Sequence, residues 1–286
     1  MFEWIFWGGA MASDKTAVIE YLFNKNWDEA TGTLRKSLMS LTDVSDAIRA
    51  CNLADGKSRS DRNPANFLKD VVRSRSASSI WPKSVSERKF TGVQRTGKGD
   101  SFEFVPYKDE QKQAFPDGFR HSTSTKVFDM QTLSIPLASK ALGRSDEAWL
   151  VQTAVKLGLV EQLLATVSTL NVSQVTHLQM NIKLRAAEID SLYLLTMENE
   201  SLVLATCEAK LQSERLIPDQ IIAQVKAAFD ATDASMVVPM AMRAVKGIGV
   251  HVLQFQAVRR EDAAQYENLV LEAEAVYRLK PSVKGI

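Results

Sequence analysis

Residues 188–210 read Glu188-Ile-Asp-Ser-Leu-Tyr-Leu-Leu-Thr-Met-Glu-Asn-Glu-Ser-Leu-Val-Leu-Ala-Thr-Cys-Glu-Ala-Lys210. Apolar runs from Leu192 to Met197 and from Leu202 to Cys207 flank the polar turn Glu198-Asn199-Glu200-Ser201, which predicts a β-hairpin of buried strands. Charge marks the open end of that hairpin. Asp190 stands where the first strand begins, and Glu208 and Lys210 where the second finishes. Side chains alternate along a strand, so Glu208 and Lys210 share one face with Ala209 opposite. In an antiparallel pair the start of one strand lies beside the end of the other, which brings Asp190 to Glu208 and Lys210. Two carboxylates and an ammonium at the edge of an apolar sheet form a candidate divalent-metal site. Glu188, two residues before Asp190, is a candidate extra acid.

The flanking elements extend the pattern. Before the hairpin, Ser145 is expected to cap one long helix with Asp146 and Glu147 in its first turn and an apolar face from Trp149 to Leu164. Leu178 to Arg185 alternates like a strand. After the hairpin come an amphipathic helix over 217–229 carrying Gln220 and Gln224, and apolar strands over 235–242 and 250–258. A closing amphipathic helix is expected from Glu261 to Tyr277. The order is helix, three strands, helix, two strands, helix. It predicts an α/β domain over 145–286, with a central mixed sheet flanked by helices.

Upstream, residues 14–30, Thr33 to Ser40, Thr42 to Cys51 and Asn63 to Arg75 read as short helices, the last opened by Asn63 and Pro64. Residues 90–106 read as a hairpin with Gly97-Lys98-Gly99 in its turn. Helix, loop, helix and a glycine-tipped basic hairpin resemble a winged helix-turn-helix, expected over 13–106. Between Lys57 and Lys98 there are 11 basic and 3 acidic residues, a local +8. Such an excess suits a phosphate-backbone partner; a solvated basic face is the alternative. Asn66, Lys69, Arg73, Arg75, Arg95 and Lys98 are the candidate DNA contacts. The polar stretch 107–144, with Pro116 and Pro136, is expected to be a linker.

The segment 145–258 resembles the PD-(D/E)xK nuclease superfamily, the fold of many restriction endonucleases. Asp190 matches its first acid, Glu208 its second and Lys210 its lysine, although Ile189 stands where proline often precedes the first acid. The resemblance implies a helix-borne glutamate, for which Glu147 and Glu161 compete, and an orienting glutamine, Gln220 or Gln224. It implies Mg²⁺ (with Mn²⁺ substituting) on Asp190 and Glu208, double-stranded DNA as substrate, and a homodimeric endonuclease of the type II restriction kind. The chemistry is coherent, because one or two carboxylates suffice for an ion that keeps several waters. Lys210 would orient or deprotonate the attacking water and offset charge in the transition state; as a base it would need a depressed pKa. The rival readings are a modification-dependent or structure-specific nuclease, a winged-helix regulator with a catalytically dead nuclease fold, and a merely structural Asp190–Lys210 ion pair.

Bulk composition excludes other classes. Lys+Arg 35 against Asp+Glu 34 gives a net charge of +1, so overall charge selects no partner. Two distant cysteines and three histidines argue against a zinc or disulfide framework, and both cysteines are expected reduced in a core. A phosphate loop of the Gly-x-x-x-x-Gly-Lys-Ser/Thr type is absent, which argues against ATP use. Without an apolar run near 20 residues, a cytoplasmic protein with no membrane partner is expected. Residues 1–12 read as a leader or appended residues and are set apart from the fold.

Overall fold

The computed structural model describes residues 14–95 and 97–286, so the reading of residues 1–12 as a leader falls outside the described residues. Two compact units divide at Pro116 and Asp117.

The first unit runs α1 (Asp14–Asn26), β1 (Trp27–Asp28), β2 (Thr33–Leu34), β3 (Leu38–Ser40) and α2 (Leu41–Asp55). It continues with a 3-10 turn (Pro64–Asn66), α3 (Lys69–Arg73), α4 (Ala77–Ile80), α5 (Lys83–Glu87), β4 (Phe90–Gln94) and β5 (Asp100–Pro106). Its three-stranded sheet has the order β3-β5-β4. The hairpin expected over 90–106 is present, while Thr33 to Ser40, expected helical, is extended. There Gly32 adopts φ +65 and Met39 is drawn into the core opposite Phe102, so sheet pairing overrides local helical spacing. The cap of α2 is Ser40, whose hydroxyl accepts from Asp43 N at 3.1 Å while Asp43 Oδ2 accepts from Ser40 N at 2.8 Å. The helix expected over 63–75 breaks into the 3-10 turn and the five residues of α3, with no cap bond from the Asn63 side chain. Its expected stripe is nonetheless buried: Phe67, Leu68, Val71 and Val72. Gly92 is required by close approach, since a Cβ there would lie 2.7 Å from the Trp81 ring.

The second unit comprises β6 (Lys126–Gln131), α6 (Leu137–Leu142), α7 (Glu147–Lys156), α8 (Leu159–Thr166), β7 (Val172–Lys183), β8 (Glu188–Met197), β9 (Leu202–Lys210), α9 (Pro218–Ala231), β10 (Met236–Val245), β11 (Gly249–Phe255), β12 (Val258–Arg259), a 3-10 turn (Arg260–Gln265) and β13 (Leu271–Lys280). It is an α/β unit built on one mixed sheet, ordered β6-β13-β11-β10-β9-β8-β7 with β12 beside β10. The predicted hairpin β8–β9 is antiparallel; α9 then crosses over to place β10 parallel to β9. Leu150, Val151, Ala154, Leu159 and Leu163 of α7 and α8 cover one face, against Tyr193, Ala205, Cys207, Met240, Val252 and Tyr277. On α9, Val225, Ala228 and Phe229 pack on Ile189, Val237 and Val258, and Ile221 joins Ala241, Leu253 and Phe255. Covered on both faces, the central strands read as continuous apolar runs. Both cysteines are free and buried.

Three expectations change here. The single helix from Ser145 is two helices, because Gly158 takes φ +62 and ends the first; Asp146 is the cap, its Oδ1 accepting from Trp149 N at 2.8 Å. The stretch 107–144, expected as linker, contributes β6, which pairs parallel with β13, and α6. The closing helix is instead the 3-10 turn followed by β13. The Ala- and Glu-rich sequence of β13 favours a helix locally, but pairing between β11 and β6 buries Ala273, Ala275, Tyr277 and Leu279 at period two.

Candidate active site

The site lies at the open end of the β8–β9 hairpin. The last paired position is Ser191 with Cys207, so the next step along the ladder sets Asp190 beside Glu208. Asp190, Glu208 and Lys210 are all buried, at 9%, 3% and 2% exposure. Asp190 Oδ2 accepts from Ala209 N at 2.8 Å, which fixes the carboxylate across the two strands. Lys210 Nζ contacts Glu208 Oε1 at 2.6 Å and Glu147 Oε1, in the first turn of α7, at 2.7 Å. It also donates to Ala209 O at 3.0 Å. From α9, Gln224 Nε2 donates to Glu208 Oε2 and, at 2.9 Å, to the Glu188 carbonyl. One strand pair and two helices therefore converge on Glu208 and Lys210.

The competing assignments separate on this geometry. Glu147 joins Lys210, whereas Glu161 lies on α8, where burial raises its pKa and Oε2 has no hydrogen-bond partner among the described residues. Gln224, 1% exposed, meets Glu208; Gln220 sits one turn earlier, with its Oε1 lacking a hydrogen-bond partner among the described residues. Glu188 is exposed and contributes its backbone carbonyl rather than its carboxylate.

The electrostatics identify what each group can do. Burial, and then the neighbouring Glu208, push the Asp190 carboxyl up to about 8. Two close carboxylates in an apolar setting demand a proton or a cation between them. Burial pulls Lys210 down, but Glu208 and Glu147 outweigh it and hold the lysine above its ordinary value. Lys210 is thus an ammonium at working pH, a hydrogen-bond donor and charge stabiliser, and the depressed pKa that a base would need is absent.

For a divalent ion the donor left open is Asp190, since both Glu208 oxygens already have partners. Asp190 keeps Oδ1 outside its backbone hydrogen bond, and its raised pKa marks a carboxylate short of positive charge. Among the described residues no three His, Cys, Asp or Glu side chains converge as metal ligands, so protein donors would be one or two carboxylates, as hydrated Mg²⁺ accepts.

The first unit gives a more divided result. Asn66, Arg75, Arg95 and Lys98 are exposed, and Lys69 and Arg73 half-buried. Arg95 is paired with Glu103 at 2.6 Å, Lys57 with Asp14 at 3.0 Å, Arg59 with Asp55 at 2.5 Å and Arg88 with Glu29 at 2.7 Å. Each of those acids lies outside the 57–98 window. Over residues 1–116 there are 18 basic and 15 acidic residues, so the local +8 becomes +3. Among the described residues Arg62, Lys69, Arg73 and Lys98 have no ion pair.

Arg243 was missed by sequence reasoning. It is a charge inside the otherwise apolar strand β10, the same kind of signal that singled out Glu208, and it lies opposite Lys210 in the parallel ladder. No protein-family model, curated protein or solved structure matches this chain.

Proposed function

We propose that the chain is a metal-dependent DNA endonuclease of the PD-(D/E)xK kind, similar to type II restriction enzymes. One observation carries the reading: Asp190, Glu208 and Lys210 meet at adjoining strand ends, joined by Glu147 from the helix before and Gln224 from the helix after. Asp190 and Glu208 would hold Mg²⁺, or Mn²⁺ in its place. Bound there, the ion would supply a water of lowered pKa and polarise a phosphate oxygen. Gln224 fixes the rotamer of Glu208, and Ala209 N–H fixes Asp190. Lys210, held as an ammonium by Glu208 and Glu147, would donate to the attacking water or to a phosphoryl oxygen as charge builds there.

The first unit would read double-stranded DNA. Its order of α1, β3, α2, the short helices α3 to α5 and the β4–β5 hairpin, with sheet order β3-β5-β4, supports a winged-helix reading. Arg62, Lys69, Arg73 and Lys98 are its phosphate-contact candidates. Cutting both strands of a duplex suits a homodimer, and this activity suits a cytoplasmic location.

A second reading has its own support. Both Glu208 oxygens are already engaged, by Lys210 and Gln224, as in a structural ion pair within a non-catalytic regulator. Supercoiled plasmid with Mg²⁺, with and without EDTA, beside Glu208→Ala, separates the two. Nicking abolished by EDTA and by the variant supports the nuclease. Tight binding without cleavage, on methylated and unmethylated plasmid, supports the regulator, and cleavage by Glu208→Ala refutes the site.

A further inference from the structure

A second polar cluster adjoins the candidate site at the carboxyl ends of the parallel strands β9 and β10. Arg243, 4% exposed, is the ladder partner of Lys210, on strands spaced by about 4.8 Å. Its guanidinium contacts Asp117 Oδ2 at 2.9 Å and Oδ1 at 3.3 Å, and donates to the Glu214 carbonyl at 2.7 Å. Arg120 Nε donates to the same Asp117 at 2.8 Å. Arg215, in the loop leaving Lys210, is 6% exposed and interacts electrostatically with Asp117, Asp219 and Arg243.

Asp117 is shared among several guanidinium groups. Arg243 and Arg120 bond the buried Asp117 carboxylate and Arg215 interacts with it electrostatically, with Asp219 exposed beyond it. Burial pulls Arg215 down to about 10, and its carboxylate neighbours do not make up the loss. Arg243 Nε is buried and has no hydrogen-bond partner among the described residues. A buried, incompletely bonded guanidinium is costly, and an anion with several acceptor oxygens would relieve that cost. Planar guanidinium donors favour phosphate over a point-like anion. Arg120, with half its side chain exposed, gives the cluster an open side. Ligands of parallel sheets gather at strand carboxyl ends, where this cluster and Lys210 both lie.

We propose that Arg243, Arg120 and Arg215, organised by Asp117, form a phosphate-binding site that holds a backbone phosphate of the substrate strand next to the one attacked beside Lys210. The proposal rests on the nuclease reading for the identity of the ligand. Arg243 acts as a positioning residue: it anchors the strand and leaves the chemistry to the neighbouring carboxylates.

The test measures binding of a short DNA duplex to the full chain in EDTA, where no cleavage intervenes, for wild type, Arg243→Gln and Arg243→Lys. Arg243→Gln is expected to weaken binding about tenfold and to lower the slope of log affinity against log salt by about one. Arg243→Lys is expected to keep the slope and lose only part of the affinity. Duplexes with 5′-hydroxyl and 5′-phosphate ends distinguish the source. Equal losses on both identify a backbone phosphate, and a loss confined to the phosphorylated duplex replaces it with a terminal one and overturns the backbone assignment. If Arg243→Gln does not fold, Arg120→Gln carries the same slope criterion. A folded variant with wild-type affinity and slope overturns the site. Failure of the nuclease reading shows itself separately, as a wild-type chain that binds in EDTA but never cuts with Mg²⁺.

Discussion

Replacing Asp190 with asparagine is expected to stabilise the metal-free protein near neutral pH while removing its response to Mg²⁺. The unfolded carboxyl titrates near 3.8 and the folded one near 8, because burial and Glu208 both penalise its ionised form. A carboxyl with a raised folded pKa contributes stability below the unfolded value and loses it as pH rises through the folded one. Between those limits the loss approaches about 1.4 kcal/mol per pH unit. Wild type should therefore lose about 3 kcal/mol from this group between pH 5 and pH 7, a window inside the two values. Asparagine resembles the protonated acid, can still accept from Ala209 N–H, and does not titrate. Urea unfolding of both proteins in EDTA at a series of pH values reads the difference, which belongs to Asp190 together with the charged neighbours it interacts with. Added Mg²⁺ should then raise the wild-type midpoint at pH 7.5 and leave the variant almost unmoved. Parallel stability curves for the two proteins between pH 5 and pH 8 would refute the reasoning, because Asp190 would then carry no strained charge.

Further outcomes test the other elements. Lys210→Met should lower plasmid cleavage by about 10²–10³-fold, as for loss of one transition-state donor, and Lys210→Arg should cut faster than Lys210→Met because charge rather than basicity is required. Equal rates for the two would show that charge is not the operative property. Gln224→Ala should reduce cleavage about tenfold by releasing Glu208, whereas Gln220→Ala should fall within twofold; single-turnover assays read both. Glu103→Gln should free Arg95 and tighten duplex binding severalfold with a steeper salt dependence, and an unchanged slope would remove Arg95 from the interface. Gly249→Ala should cost about 2–4 kcal/mol in chemical denaturation, because φ is +155 and the new Cβ would lie 2.0 Å from Tyr277 O.

The β8–β9 hairpin and the α9 crossover were legible because buried strands leave unbroken apolar runs and polar turns punctuate them. The same rule made β13 illegible. Leu271-Glu-Ala-Glu-Ala-Val-Tyr-Arg-Leu-Lys280 fits both helical and alternating spacing, and only its place between β11 and β6 decides. In β6, Phe128 and Met130 pack on the core at period two, but six polar-flanked residues are too short a signal to stand out from a linker. Gln220 and Gln224 are one turn apart on a single helix, and the glutamine that faces Glu208 depends on how α9 crosses the sheet. The basic window changes in a different way. Ion pairs ignore sequence distance, so Asp14, Glu29, Asp55 and Glu103 reduce an excess that appears large when counted along the chain.

The energetics of the site argue against a purely structural role. A Glu–Lys pair at 3% and 2% exposure gives up several kcal/mol of hydration per ion, and its attraction repays that only with good hydrogen bonding. Glu208 and Lys210 obtain such bonding from Gln224 and Glu147, so that pair alone is compatible with a scaffold. Asp190 is the member that a scaffold does not require. It adds a carboxylate beside Glu208, has its pKa raised to about 8, and draws one backbone hydrogen bond and the attraction of Lys210 in return. Asparagine or serine would meet Ala209 N–H without that repulsion. A cation bound between Asp190 and Glu208 would turn the repulsion into affinity, and stability measured against Mg²⁺ concentration would read that conversion whether or not DNA is cut.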